Sequence, residues 1–362
     1  MESMWTLAME LAERGIAPDA AIRFGIRQLC GQRLREEGSR GESTAKFAER
    51  MRLGPVAPVP EKANEQHYEA PPELFRLALG PRMKYSCCFW DEGAETLAEA
   101  EEAALEETCR RAELIDGHDI LELGCGWGSL SLWMAERYPN SRITAVSNSS
   151  LQRGFIQQRA LERGLANLRV VTADMNDFST GDRFDRVVSV EMFEHMRNYE
   201  ELLRRIAGWL RPDGKLFVHI FCHRRHGYAF ETTGATEWLG RNFFTGGIMP
   251  SADVFTHFER EMRLSRQWSW GGEHYQKTAE AWLANMDRRK GEVLAVLSRT
   301  YGADEAERTF QRWRIFFMAC AELWGYAEGK EWVVGHYLLE RPLAGQFGAD
   351  AITPEEVRVD CL

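Results

Sequence analysis

No stretch of the 362 residues approaches the ~18 consecutive apolar side chains that a membrane-spanning helix needs, so no transmembrane segment is expected. The opening Met1 to Leu11 carries Glu2 and Glu10 and lacks a basic n-region, which argues against a secretory signal and for a cytoplasmic protein. Positive charge is in deficit, with 45 Lys and Arg against 55 Asp and Glu and a formal charge of -10. Nucleic-acid phosphates and anionic lipid headgroups repel such a surface, so neither is expected as the main partner, whereas a cationic small molecule is compatible. The eight cysteines include no C-x-x-C pair, which disfavours a zinc site or a disulfide frame and fits reduced thiols. No metal site is expected. His219, His223 and His226 have the most suggestive spacing, but His219 falls on a predicted strand and Arg224 and Arg225 intervene. Internal repeats and low-complexity tracts are lacking as well.

What is present is organised around Asp119 to Leu130, DILELGCGWGSL. A run of Ile and Leu reads as a buried parallel strand, the glycines at 124, 126 and 128 as a tight turn, and Ser129 to Tyr138 as the helix that follows. Glycines at alternate positions let backbone N–H groups approach a ligand. The spacing is G-x-G-x-G rather than G-x-G-x-x-G, and the second strand ends in Ser147 and Asn148 rather than an acid, so a nicotinamide dinucleotide is disfavoured. S-adenosylmethionine, which has no pyrophosphate to seat on a helix N-terminus, suits the turn better.

Strand and helix alternate from Ile120 onward as in a doubly wound parallel sheet. Strands are predicted at 120–123, 143–147, 169–173, 186–190 and 216–221, with helices at 129–138, 150–164 and 199–210, the last stopped by Pro212 and Gly214. Ahead of them, residues 1 to about 55 have helical spacing, 53–72 is a proline-rich linker, and Ala94 to Ala112 is a helix. After His223, residues 224–272 look irregular and aromatic-rich, and two long helices follow at 278–301 and 303–324. Glu331 to Leu339 reads as a last strand, which makes the intervening segment a cap inserted within the sheet. The expected organisation is therefore an N-terminal helical extension and linker (1–75), a core (76–341, cap about 224–328) and a loosely held tail (342–362). In such a sheet ligands sit at the carboxyl ends of the strands.

The chain resembles the cyclopropane-fatty-acid-synthase-like S-adenosylmethionine methyltransferases, most of all their amine N-methyltransferases, over about Met83 to Arg341. The resemblance rests on MKYSCCFW, ELGCGWGSL, SVEMFEHM, FVHIFCH, FFTGGIMPSAD, GGEHYQKT and AELWGYAEGKEW. It implies a class I methyltransferase α/β fold: a doubly wound, mostly parallel seven-stranded sheet with N-terminal helices and a helical cap. It also implies S-adenosylmethionine as cofactor, a small and cyclic or aromatic amine as substrate, and leaves pairing into a homodimer open. Tyr85 and Ser86 resemble the residues that close over the methionine end of the cofactor, and Gly124, Gly126 and Val190 line it. Asn148 and Gln152 would hold the ribose. Asp174 would accept from the adenine amino group and Met175 pack on the ring, although an aspartate there also suits a helix N-cap.

In Glu191-Met192-Phe193-Glu194-His195 the spacing i, i+3, i+4 lets Glu191, Glu194 and His195 converge on one face of a helical turn. An ammonium has no lone pair until it loses its proton, so an imidazole base and a carboxylate that holds the cation suit N-methylation. In the rival branch, the synthases that transfer methylene to fatty-acyl chains, the resemblance implies a small residue at position 191 and a bound bicarbonate base, whose ligands map onto Cys87, Glu194, His219 and Tyr275. Cys320 matches a cysteine proposed as a nucleophile there, but a small buried core residue is the better reading. A protein that binds the cofactor without catalysis is the third alternative, disfavoured by the intact Glu191, Glu194 and His195. Trp238, Phe243, Phe244, Phe255, Phe258, Trp268 and Trp324 offer aromatic faces for a substrate ring or cation, although core packing accounts for most of them.

Overall fold

The computed structural model describes residues 2–59, 70–91, 93–232, 237–342 and 359–361. Five parallel strands form where the alternation is clearest: β1 (Asp119–Leu123), β2 (Arg142–Ser147), β3 (Leu168–Thr172), β4 (Phe184–Val190) and β5 (Leu210–His223). Strand residues split between two apolar layers as their period of two requires. Leu121, Leu123 and Val187 join one layer, and Ile120 and Val188 the other. Both faces are covered, which is why the strands read as continuous apolar runs.

Helices Ser129–Arg137, Ser150–Glu162 and Tyr199–Trp209 make the crossovers. The Ser149 and Asn198 side chains cap the second and third by accepting from the N–H groups of Gln152 and Glu201. The third helix stops at Trp209 and Leu210 begins β5 directly, ahead of Pro212. The helix expected at 94–112 is Leu97–Arg111, started by a capping box between Thr96 and Glu99.

Beyond β5, β6 (Tyr228–Ala229) and β7 (Ile248–Met249) form a small hairpin sheet, followed by β8 (Arg263–Trp270), β9 (Trp332–Glu340) and a short β10 (Val359–Cys361). The main sheet runs β10-β8-β9-β5-β4-β1-β2-β3, with β9 antiparallel to both neighbours. Seven strands therefore make the expected sheet and β10 adds an edge.

The segment 224–272 is less irregular than its sequence suggests, because β8 belongs to the main sheet. Its residues RLSRQWSW alternate only partly and remain half-exposed over the first five positions, so the signal is weak. The helix expected at 278–301 is two, Gly272–Arg288 and Lys290–Tyr301, broken at Arg289. Helices Glu2–Glu13 and Asp19–Arg40 lie against Ala303–Trp324, with Arg23 bonded to Glu280 and Glu322 and Arg314 to Asp19. No helix among the described residues is long and apolar enough to cross a membrane. Residues 60–69 of the expected linker and 343–358 and 362 of the expected tail lie outside the described residues.

Candidate active site

The strand order turns back between β1 and β4, which leaves a crevice beyond their carboxyl ends. The glycine turn lies there. At Gly124, with φ +80°, a Cβ would come within 2.7 Å of the Met192 side chain, so only glycine fits. At Gly126, with φ +50°, a Cβ would meet nothing within 4 Å, which leaves the backbone open to a ligand.

Two voids of about 70 Å³ each share Gly124, Gly126 and Glu191 as a common wall. Asn148, Gln152, Asp174, Met175 and His195 line the first; Lys84, Tyr85, Ser86, Glu122 and Val190 line the second. In the first, Ser147 Oγ donates to Gln152 Oε1 at 2.7 Å and leaves Gln152 Nε2 a buried donor without a partner among the described residues. Asp174 accepts the Asn176 N–H at 2.7 Å through one oxygen. In the second, Lys84 Nζ donates to Ser86 Oγ (2.5 Å) and the Cys87 carbonyl (2.6 Å), and the Tyr85 ring packs against Phe75 and Trp282. Burial raises the Glu122 carboxyl to about 7, against the Ser131 hydroxyl that donates to it. An orphaned amide donor in one lobe, charged and hydroxyl groups in the other, and open backbone between them fit a nucleoside joined to an amino acid, as in S-adenosylmethionine.

Where the lobes meet, Val190 pairs across the sheet with His219, and Glu191 follows with φ +48°. Glu191 Oε1 accepts the Cys87 N–H (2.8 Å) and a hydrogen bond from His219 Nε2 (3.2 Å), and Oε2 accepts the Tyr275 hydroxyl (2.7 Å). Burial pushes this carboxyl upward, but the hydrogen bond from His219, the Lys84 charge and the Cys87 N–H outweigh it and hold Glu191 below its ordinary value. Glu194 behaves oppositely: burial, with the Glu191 charge beside it, raises its carboxyl well above the ordinary range. The surroundings therefore push the two carboxyls in opposite directions, Glu191 toward the ionised form and Glu194 toward the neutral one. Burial lowers His195 to about 4 despite the pull of Glu191, which leaves a neutral imidazole at physiological pH.

Of the three ionisable residues of the predicted cluster, Glu191 lines both voids and His195 the first, whereas Glu194 is fully buried and lines neither. His195 stacks on Phe244 with centroids 5.6 Å apart. Glu194 Oε1 accepts the Phe221 N–H at 2.7 Å, while Oε2 has no partner among the described residues, so Glu194 steadies β5 rather than the imidazole. Only Phe193–His195 is helical, as a single 3₁₀ turn, and Glu191 lies outside it. His219 is internal to β5, which continues to His223, rather than at a strand end. Cys87 contributes its backbone N–H, because burial pushes its thiol well up and keeps it protonated. Burial does the same to Cys320. The His223 Nδ1 accepts the N–H groups of Arg225 and His226, so a local turn accounts for that histidine spacing.

Of the seven cap aromatics, Phe244 stacks on His195 and Trp324 on Tyr275, the latter at 4.8 Å. The others serve packing: Phe255 and Phe258 adjoin Tyr199, Trp238 and Phe243 adjoin each other, and Trp268 is on β8. Sequence reasoning overlooked Lys84 and Glu122. The available signals were a lysine inside the otherwise apolar MKYSCCFW and an acid inside a Leu and Ile strand, each a buried charge that needs a reason.

Comparison with known families matches residues 59–329 to mycolic acid cyclopropane synthetase. Among characterised proteins, the chain is 36% identical over 339 residues to (S)-coclaurine N-methyltransferase of Thalictrum flavum subsp. glaucum, covering 91% of this chain and 94% of that one. It is 29% identical over 267 residues to the cyclopropane-fatty-acyl-phospholipid synthase of Escherichia coli (strain K12), covering 70% and 66% respectively. A solved coclaurine N-methyltransferase, bound to N-methylheliamine and S-adenosylhomocysteine, superposes with a TM-score of 0.89 at 33% identity over 92% of this chain and 99% of that one. A mycolic acid cyclopropane synthase bound to S-adenosylhomocysteine gives 0.66 at 25% identity, over 78% and 99%.

Proposed function

The chain belongs to the mycolic acid cyclopropane synthetase family and is an S-adenosylmethionine-dependent N-methyltransferase, and from that premise we propose that its acceptor is the nitrogen of a small cyclic or aromatic amine. One observation carries the choice of acceptor. Cys87 N–H, His219 and Tyr275, which the family resemblance assigns to bicarbonate in the fatty-acid synthases, all bond the carboxylate of Glu191. The protein's own side chain takes the anion's place, which supports an amine methylase over a bicarbonate-dependent synthase.

S-adenosylmethionine supplies, when bound, a methyl group on a sulfonium. Tyr85, Ser86, Gly124, Gly126 and Val190 would hold its amino-acid end, and Asn148, Gln152, Asp174 and Met175 its adenosine. The chain's own task is to orient the amine and take away its proton. Glu191, ionised and at the junction of the lobes, holds the ammonium by charge. The neutral imidazole of His195 accepts the proton, and Glu194, whose carboxyl is raised by burial and by the Glu191 charge, holds the Phe221 N–H of β5. Trp324, Tyr275 and Phe244 give the substrate ring aromatic faces. The helices after residue 271 form the cap. The buried free thiols support a reducing, cytoplasmic setting.

The test is incubation with methyl-labelled cofactor against cyclic secondary amines and mixed phospholipids, each with and without bicarbonate. Labelled N-methyl product, formed at the same rate in bicarbonate-depleted buffer, is expected. Cyclopropane lipid whose formation needs bicarbonate would overturn the proposal.

A further inference from the structure

Behind Glu191, three neighbouring strands set residues abreast: Trp268 of β8 pairs with His336 of β9, and His336 with His219 of β5. The hydrogen bonds continue that row. Arg111 Nη1 lies 2.6 Å from His336 Nδ1, His336 Nε2 lies 2.9 Å from His219 Nδ1, and His219 Nε2 lies 3.2 Å from Glu191 Oε1. Both imidazoles are fully buried and Arg111 nearly so. The Trp270 ring stands 4.2 Å from His336 and 5.5 Å from His219, and Arg111 lies over both Trp268 and Trp270.

The direction of this line follows from one fact. A guanidinium has donors and no acceptor, so His336 Nδ1 must accept from it. The single proton of a neutral His336 is then on Nε2 and is donated to His219 Nδ1. The proton of His219 is in turn on Nε2 and is donated to Glu191. Resting on the reading of Glu191 as the group that holds the substrate cation, we propose that Arg111 and His336 are positioning residues that act through His219. They lock all three bonds in one direction, so Glu191 stays an ionised acceptor and His219 cannot carry the substrate's proton inward.

Neutral imidazoles are what the line requires, and burial lowers His219 to about 4 and His336 well below its ordinary value. The other titratable groups that bear on the line are Lys84 and Cys87 from the segment before the first long helix, and Glu107 on that helix, paired with Arg111. Arg110 beside Arg111, Glu194 and His195 in the 3₁₀ turn, Tyr275 on Gly272–Arg288 and Cys320 on Ala303–Trp324 also bear on it. None of them stands between two members of the line, so its order depends on Arg111.

The test combines nitrogen-15 imidazole resonances of the whole enzyme with pH profiles of two variants. In the wild type, His219 and His336 are expected as neutral rings protonated at Nε2 from pH 6 to 9, a readout that needs no substrate and so stands if the amine reading fails. His336→Phe cuts the line. The acidic limb of its kcat/KM profile should move to higher pH, with a loss of at least ~10-fold at pH 7. His336→Gln, whose amide both accepts and donates, should return the limb toward the wild-type position. A His219 ring protonated at Nδ1, or His336→Phe and wild-type profiles that coincide, would overturn the proposal. If His336→Phe does not fold, the resonances and His336→Gln still decide: a limb displaced in the glutamine variant also counts against it.

Discussion

Replacing Glu191 by Gln removes one charge with almost no change of shape. The amide oxygen can keep the Cys87 and His219 donors, now 2.8 and 3.2 Å from Glu191 Oε1, and the Tyr275 hydroxyl can rotate to accept from the new NH₂. The fold should therefore survive, and the loss falls on the ligands. A unit charge ~4 Å from an ammonium is worth about 4 kcal/mol at an effective dielectric of ~20, and about half that once Lys84 and entering solvent offset it. At 1.4 kcal/mol per decade, kcat/KM for the amine should drop by roughly 30-fold to 10³-fold. During transfer, positive charge passes from sulfur to nitrogen, and a carboxylate at the junction favours both ends. Its removal should therefore raise KM more than it lowers kcat. Initial rates with methyl-labelled cofactor over a range of amine concentrations give both constants. Calorimetry supplies the control: affinity for S-adenosylmethionine, a cation at sulfur, should weaken, while that for uncharged-sulfur S-adenosylhomocysteine stays within ~3-fold. A kcat/KM within ~3-fold of wild type, or equal losses for the two cofactor forms, would refute the charge argument.

The two remaining perturbations address the glycine turn and the base. Gly126→Val places a branched side chain, at φ +50°, in the space between the lobes, and should weaken S-adenosylmethionine by at least ~10-fold in a variant that folds; undiminished calorimetric affinity would mean the cofactor lies elsewhere. His195→Ala should lower kcat by ~10² to 10⁴ with cofactor affinity retained. Because burial lowers His195 to about 4, the ring stays neutral across pH 6 to 9, and its own titration should place no limb in the wild-type turnover profile within that window. Equal turnover in both proteins would assign the proton to solvent and leave positioning alone to carry the rate.

The parts of the fold that were legible are those where one physical demand dominates. β1 and its turn announce themselves because burial on both faces demands an apolar run and Gly124 tolerates no Cβ. The crevice residues follow, since strand ends in a doubly wound sheet are where ligands gather. β8 escaped because it is half-exposed, so its polar residues dilute the alternation, and tryptophans that pack against Arg111 look like a cap. The hydrogen-bond row was invisible for a different reason. His336 lies inside EWVVGHYLL, where a lone histidine reads as a satisfied core residue, and only strand register sets it beside His219. Spacing likewise grouped Glu191, Glu194 and His195, but it carries no information on which groups from residues 87, 219, 221 and 275 would claim each carboxylate.

Glu191 has a backbone conformation that most side chains avoid, and holding a non-glycine residue at φ +48° costs on the order of 1 kcal/mol. Glycine would relieve that cost and at the same time vacate the space between three hydrogen-bond donors. Keeping glutamate there is a way of tethering an anion. A dissolved ion fills such a site only in proportion to its concentration, whereas a group attached to the chain is always in place, an effective-concentration advantage that needs no additional contact. The strained turn after β4 thereby makes the charge of this crevice part of the polypeptide, independent of the dissolved inorganic carbon around it.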